Sequence, residues 1–188
     1  KSILELSRKS IAKALNATAQ EILFTSGGTE ANNWILRSAV KDLKVRRIIS
    51  SKMEHHAVLY PILELQKEFD IQVEYVENSA DGVLDLTHLV DLLSESTEKT
   101  LVSLMHVNNE TGVVLDLERV SQICQEHHAL FHSDTVQSVG KAILDLQKVP
   151  VDFIVSSAHK FHGPKGVGFA FIRKNSGLQP LFFGGEQE

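Results

Sequence analysis

The chain has 188 residues, 43% of them hydrophobic and 23% charged, with a formal net charge of −5; that is enough for one domain with a full core. The acidic balance excludes a nucleic-acid footprint, since the densest basic spot, Arg46-Arg47, reads as a solvated strand entrance, and no apolar run is long enough to cross a bilayer. Cys124 is the one cysteine, which excludes an internal disulfide and fits a reducing, cytoplasmic setting; no secretory signal pattern opens the sequence.

Ile3, Leu4, Leu6, Ile11, Ala14 and Leu15 recur at helical spacing, so the sequence opens inside a helix. Ile22-Leu23-Phe24 is a short strand that stops at Thr25-Ser26-Gly27-Gly28. Thr29 is expected to cap a helix running through Trp34, Leu36 and Val40. Ile48-Ile49 reads as a second, buried strand and His55 to Lys67 as a helix. Ile71, Val73 and Tyr75 alternate with polar residues as a third strand, and Asn78 to Gly82 is loop. Leu86 to Leu93 predicts a short helix, Thr100 to Val107 a strand, and Leu117 to His127 an amphipathic helix. Ala129-Leu130-Phe131, Val151 to Val155 and Val167 to Ile172 complete the strands. The closing Gly184-Gly185-Glu186-Gln187-Glu188 carries no packing pattern, so the chain is expected to be a piece of a longer protein.

Short, solidly apolar strands alternating with helices imply an α/β fold. The expected architecture is a three-layer α/β/α sandwich around a mostly parallel seven-stranded sheet. The connection from Ser156 to Gly166 is too short and too rich in Gly and Pro for a helical crossover. The last strand is therefore expected to run antiparallel to the others. No repeat or linker divides the sequence, so residues 1–188 read as one domain.

In an open α/β sheet, ligands sit beyond the carboxyl ends of the strands, and the unusual polar residues of this chain fall at such ends. Ser26 to Thr29 follow the first strand, His55 and His56 the second, and Asn108-Asn109-Glu110 the fourth. His132, Asp134 and Gln137 follow the fifth; Ser157, His159 and Lys160 follow the sixth. Gly27-Gly28-Thr29 suits the approach of a phosphate to a helix N-terminus, and equally a plain strand-to-helix turn. It is neither a P-loop nor a dinucleotide fingerprint. His55 reads either as a helix-start cap or as a ring stacked on an aromatic cofactor. Asp134 reads either as a cap for the segment beginning at Thr135 or as a buried carboxylate paired with a cation such as a protonated pyridine nitrogen. Asn108 to Gly112 also fits a simple turn. The histidine pairs lack a carboxylate or cysteine partner at ligand spacing, so no metal site is expected. Cys124, mid-helix beside Ile123, reads as a core residue. Lys160, in a small, polar turn, is a candidate nucleophile, which requires a desolvated or cation-flanked amine. Together these are the parts needed to hold pyridoxal phosphate as a Schiff base.

Five runs carry a closer resemblance: Phe24-Thr25-Ser26-Gly27-Gly28-Thr29-Glu30-Ala31-Asn32-Asn33, Glu54-His55-His56-Ala57-Val58, His106-Val107-Asn108-Asn109-Glu110-Thr111-Gly112, His132-Ser133-Asp134-Thr135-Val136-Gln137-Ser138-Val139-Gly140-Lys141 and Ser157-Ala158-His159-Lys160-Phe161-His162-Gly163-Pro164-Lys165-Gly166. In order and content they resemble the cysteine desulfurases of the class V aminotransferase group, which share the aspartate-aminotransferase-like pyridoxal-phosphate fold. The resemblance covers nearly the whole chain.

The resemblance implies roles. Lys160 matches the lysine that binds the cofactor covalently. Gly28 and Thr29 match the phosphate turn, with Ser157 and His159 completing the cup. His55 matches the histidine stacked on the ring, also an acid/base group. Asp134 matches the aspartate that keeps the ring nitrogen protonated. Gln137 matches the partner of the ring hydroxyl, and Asn109 an asparagine near that hydroxyl and the substrate. The implied reaction converts L-cysteine to L-alanine and leaves a persulfide, whose sulfur passes to an acceptor protein for iron–sulfur cluster assembly or tRNA thiolation. The implied assembly is a homodimer of the full-length protein.

Cys124 does not match the family's nucleophilic cysteine. That cysteine and the substrate-carboxylate arginine belong to a later segment, and an Asp-Asn-Ala-Ala-Thr stretch belongs to an earlier one. Residues 184–188 look like the family's Gly-Gly-x-Gln-Glu. Residues 1–188 are therefore expected to be the cofactor-binding large domain alone, inactive without the rest. Another class V enzyme, such as a selenocysteine lyase or an aminotransferase, is the alternative, followed by a non-enzymatic domain that retains the fold.

Overall fold

A computed structural model describes residues 2–181 and Gly184. The run 185–188, most of the closing Gly-Gly-x-Gln-Glu, lies outside the described residues. In chain order the elements are α1 (Ser2–Ala14), β1 (Ile22–Thr25), α2 (Gly28–Lys41), β2 (Arg47–Ser50), α3 (His56–Phe69) and β3 (Gln72–Tyr75). They continue with α4 (Leu86–Ser94), β4 (Thr100–Ser103), α5 (Leu117–Glu126), β5 (Leu130–Asp134), β6 (Phe153–Ser157) and β7 (Gly168–Ile172). Short 3₁₀ turns occupy Ala19–Glu21 and Ala158–Phe161.

The strands form one seven-stranded sheet in the order β1-β7-β6-β5-β4-β2-β3. The pairs β2–β3, β2–β4, β4–β5 and β5–β6 are parallel, and β7 runs antiparallel to both β6 and β1. The short turn after β6 folds the chain straight back, as its Gly/Pro content requires. Successive side chains on a strand point to opposite faces, and here both faces are covered. Ile48, Leu101, Phe153 and Val155 enter a core with Ile35 and Leu36 of α2 and Val58 and Ile62 of α3. Their neighbours Ile49, Val102 and Ile154 enter the opposite core with Ala12 of α1, Leu89 of α4, and Val120 and Ile123 of α5. Fully burying each such aliphatic contributes about 1.5–3 kcal/mol.

Several expectations shift. The fourth strand ends at Ser103, not Val107. Even so, the N–H groups of Leu104 and His106 still donate to the carbonyls of His132 and Asp134, at 3.1 and 3.0 Å, so the extended path continues along β5. The fifth and sixth strands run on past their apolar runs, through His132-Ser133-Asp134 and Ser156-Ser157. Backbone pairing is indifferent to side-chain polarity; Ser156 pairs with Phe169, and Ser157 with Gly168. Arg47 is not solvated: it is 1% exposed and forms an ion pair with Glu74 between β2 and β3. Thr29 does not cap α2. Gly27 is the cap residue and no side chain caps the helix.

Candidate active site

The turn after β1 is shaped by contacts below it. Thr25 Oγ1 donates to the Gly27 carbonyl at 3.0 Å, and the Ser26 N–H donates to Glu30 Oε2 at 2.8 Å. Gly168 of β7 lies directly against the turn. A Cβ there would sit 2.5 Å from the Ser156 carbonyl oxygen and 2.6 Å from Gly27 Cα. A Cβ on Gly28 would meet Val136 Cγ2 at 2.8 Å. The backbone thus comes close only because side chains are missing. With no side-chain cap, the first N–H groups of α2 face outward at the positive end of the helix dipole. Ser157 Oγ lies beside this turn and shares a 2.9 Å hydrogen bond with His159 Nδ1. Main-chain donors, a hydroxyl and an imidazole therefore converge, a donor set suited to a phosphate.

His55 is the cap residue of α3: its Nδ1 accepts from the Ala57 N–H at 3.0 Å, so the neutral ring carries its proton on Nε2. The capping alternative is thus realised, and it fixes the ring plane. The neighbouring His56 turns away and stacks on Tyr60, with centroids 4.7 Å apart. Asn108 makes the turn after β4, its Oδ1 accepting from the N–H groups of Glu110 and Thr111 at 2.9 Å each. That leaves Asn109 to face the site. Gln137 Oε1 accepts from Lys141 Nζ at 3.1 Å, which leaves its amide N–H groups for a ligand oxygen.

Asp134 is 7% exposed. Its Oδ1 accepts from the Val136 N–H at 3.0 Å, so the capping alternative holds here too, and its Oδ2 accepts from Asn32 Nδ2 at 2.8 Å. Burial raises its pKa above the usual carboxylate range, against the pull of those two donors and of His55. No cationic side chain bonds it among the described residues.

A cavity of about 230 Å³ opens at the carboxyl ends of β1, β2, β4, β5 and β6. Its lining includes Gly28, Thr29, His55, Asn109, Asp134, Gln137, Ser157, His159 and Lys160. The residues given roles by the resemblance therefore come together around one space, whereas Ser26, His56, Asn108, Glu110 and His132 do not line it. Lys160 differs from expectation in one respect: it is exposed at the mouth, not desolvated, and its amine makes no hydrogen bond or ion pair among the described residues. Among the described residues no group of three His, Cys, Asp or Glu side chains is arranged to hold a metal ion, and no helix is long and apolar enough to cross a membrane.

Two residues without an assigned role also belong here. Asn32 is fully buried, lines the cavity and holds Asp134. It follows Gly28 by four positions, so it is a polar residue on the apolar, sheet-facing stripe of α2; that is the signal that marks it. Met105 lines the cavity as well, and its N–H donates to Glu54 Oε1 at 2.7 Å.

The donor set at the head of α2, the buried carboxylate and the free amine line one cavity and fit pyridoxal phosphate: an anion site, a partner for a ring cation, and a nucleophile. Comparisons with known proteins show the family. The family profile for aminotransferase class-V matches residues 1–188. The cysteine desulfurase IscS of Dictyoglomus turgidum is 42% identical over 190 residues, covering 100% of this chain and 48% of that protein. A solved NifS-like protein superposes with a TM-score of 0.92 at 40% identity, over 98% of this chain and 51% of that one. SspA, solved in complex with cysteine, gives 0.89 at 33% identity, over 98% and 53%. The chain spans about half the length of the curated relatives it matches.

Proposed function

We propose, from the premise that the chain belongs to the class V aminotransferase family, that residues 1–188 are the pyridoxal-phosphate-binding large domain of a cysteine desulfurase. The observation that carries this reading is the shared cavity: Lys160, Asp134 and the uncapped head of α2 meet in it. Similarity to the IscS desulfurase and to a NifS-like protein supports the reaction, and the cysteine complex of a similar structure supports the substrate.

Each side chain then has a task. The first turn of α2, with Thr29, Ser157 and His159, holds the phosphate. Asp134 pairs with the ring-nitrogen proton, and Asn32 keeps its carboxylate aimed. His55, fixed by its bond to Ala57, covers one face of the ring. Gln137 and Asn109 reach the ring hydroxyl. Lys160 provides the amine that joins the cofactor and moves a proton at the substrate's alpha carbon. When bound, the cofactor supplies an electron sink for the electrons released there. The cysteine thiolate that takes the substrate sulfur is not Cys124, which is buried and whose thiol is pushed far up by that burial. The partners implied are L-cysteine, a sulfur-acceptor protein and a second copy of the full-length chain, in a reducing cytoplasm.

The test is direct. Borohydride treatment of the full-length protein with pyridoxal phosphate is expected to fix the cofactor to the Lys160 peptide, read by mass spectrometry. Lys160→Ala should take up none, and the full-length protein should release alanine from cysteine. Labelling of any other lysine overturns the assignment.

A further inference from the structure

We propose that Glu54 is a positioning residue that works as a neutral carboxylic acid, tying the approach to α3 to the exit of β4 and leaving Asp134 as the anion beneath the cavity. The proposal deepens the reading above and rests on it where it concerns the cofactor.

Glu54 is 5% exposed. Its Oε1 accepts from the Met105 N–H at 2.7 Å, while its Oε2 is buried without a partner. Asp134 has both oxygens bonded, to the Val136 N–H and to Asn32. An ionised carboxylate is an acceptor at both oxygens, and a buried anion with one bare oxygen is far costlier than a neutral hydroxyl in the same place. Negative charge therefore settles where the donors are, on Asp134, and the proton settles on Glu54 Oε2. Burial acts in the same direction, holding Glu54 well above the usual carboxylate range, and the charge of Asp134 raises it further. Ionisable groups on the elements that meet here include Asp134 and His132 of β5, His55 and His56 at the head of α3, His106 beyond β4, and Asp116, which lines a second cavity together with Glu54 and Met105. Burial also disfavours the charged form of His106.

The consequence is positional. Glu54 directly precedes His55, and Met105 and His55 both line the cavity. The bond from Met105 to Glu54 locks the wall contributed by β4 to the residue that carries the ring-facing imidazole. Because that lock is neutral, it does not compete with Asp134 for a cation in the cavity.

The experiment uses the full-length protein without cofactor at neutral pH. Infrared difference spectra of wild type against Glu54→Gln should show loss of a protonated-carboxyl C=O band. Loss of a carboxylate band instead overturns the proposal. A second arm measures pyridoxal phosphate affinity. Glu54→Gln keeps an acceptor for Met105 and should stay within about threefold of wild type, whereas Glu54→Ala should weaken binding about tenfold. Equal weakening by Gln and Ala overturns the proposal. If the wild type binds no pyridoxal phosphate, the cofactor reading fails, and the infrared arm still decides the state of Glu54.

Discussion

Asn32 Nδ2 donates to Asp134 Oδ2 at 2.8 Å, a buried contact between residues 102 positions apart. It joins the sheet-facing side of α2 to the tip of β5 and decides which way the Asp134 carboxylate points. Asn32→Ala is expected to leave one oxygen of a buried carboxylate without a donor. The cost should be about 1–3 kcal/mol in denaturant unfolding. Asn32→Asp should be worse, because it sets two carboxylates side by side. Asn32→Ala unfolding at the wild-type midpoint would show that the bond carries no weight.

Gly168→Ala tests the underside of the phosphate turn. The added methyl meets backbone on two sides, the Ser156 carbonyl and Gly27, and neither is the end of a flexible side chain. Overpacking of this kind costs about 1–3 kcal/mol. Weakened phosphate-ester binding should accompany the loss of stability. Gly28→Ala meets only a Val136 methyl, so adding Val136→Ala should restore much of what Gly28→Ala loses, a pattern a thermal-melt double-mutant cycle reads directly.

His55 has two separable duties. His55→Asn retains an oxygen that can accept from the first turn of α3, so stability should hold. His55→Ala should cost about 1 kcal/mol through loss of the cap. Both remove the ring, so both should lower pyridoxal phosphate affinity. Unchanged affinity in His55→Asn would remove the stacking role.

His132 is fully buried, with Nδ1 bonded to Ser103 Oγ at 2.9 Å, and burial depresses its pKa from 6.5 to about 3. The unfolded chain binds this proton first as pH falls. Stability tied to His132 is therefore present above pH 6.5 and lost between 6.5 and about 3, by about 1.4 kcal/mol per pH unit. Glu54 and Asp134 are raised by burial, so their contribution has the opposite sign and grows as pH falls. The comparison with His132→Gln isolates the histidine. That variant should lose one proton's worth of slope in unfolding free energy against pH, and an unchanged slope would exclude the assignment.

Cys124 sits on the buried face of α5, with its thiol pushed up chiefly by desolvation and secondarily by Asp152. Reagents such as a disulfide dye should label it only on unfolding. Prompt labelling of the native protein at Cys124 would contradict its burial.

Much of this architecture is legible in the residues because its signals are local. Ile48-Ile49 and Ile22 to Phe24 announce strands, and the Gly/Pro-rich return from Ser156 to Gly166 announces the reversed last strand. Strand ends are less legible. His132 to Asp134 and Ser156-Ser157 continue the ladder with polar side chains, and nothing in their composition reveals a partner strand. The cap of α2 is misread for a related reason: Thr29 is a favourable cap type, but Gly27 occupies the cap because the turn is pressed against Gly168 of β7. Asn32 and Glu54 are harder still. Their partners, Asp134 and Met105, lie 102 and 51 residues away, and only the fold brings them together. The exposure of Lys160 depends on what surrounds the cavity mouth, which no local pattern encodes.

Among the described residues β1 has one neighbour in the sheet, and that neighbour is β7: Ile22 pairs with Phe171 and Thr25 with Gly168. A ribosome therefore releases the first strand long before its template exists. Leu23 and Phe24 must wait, unpaired, until Gly168–Ile172 has been made. The turn at Gly27 and Gly28 therefore reaches its final shape only once β7 lies against it.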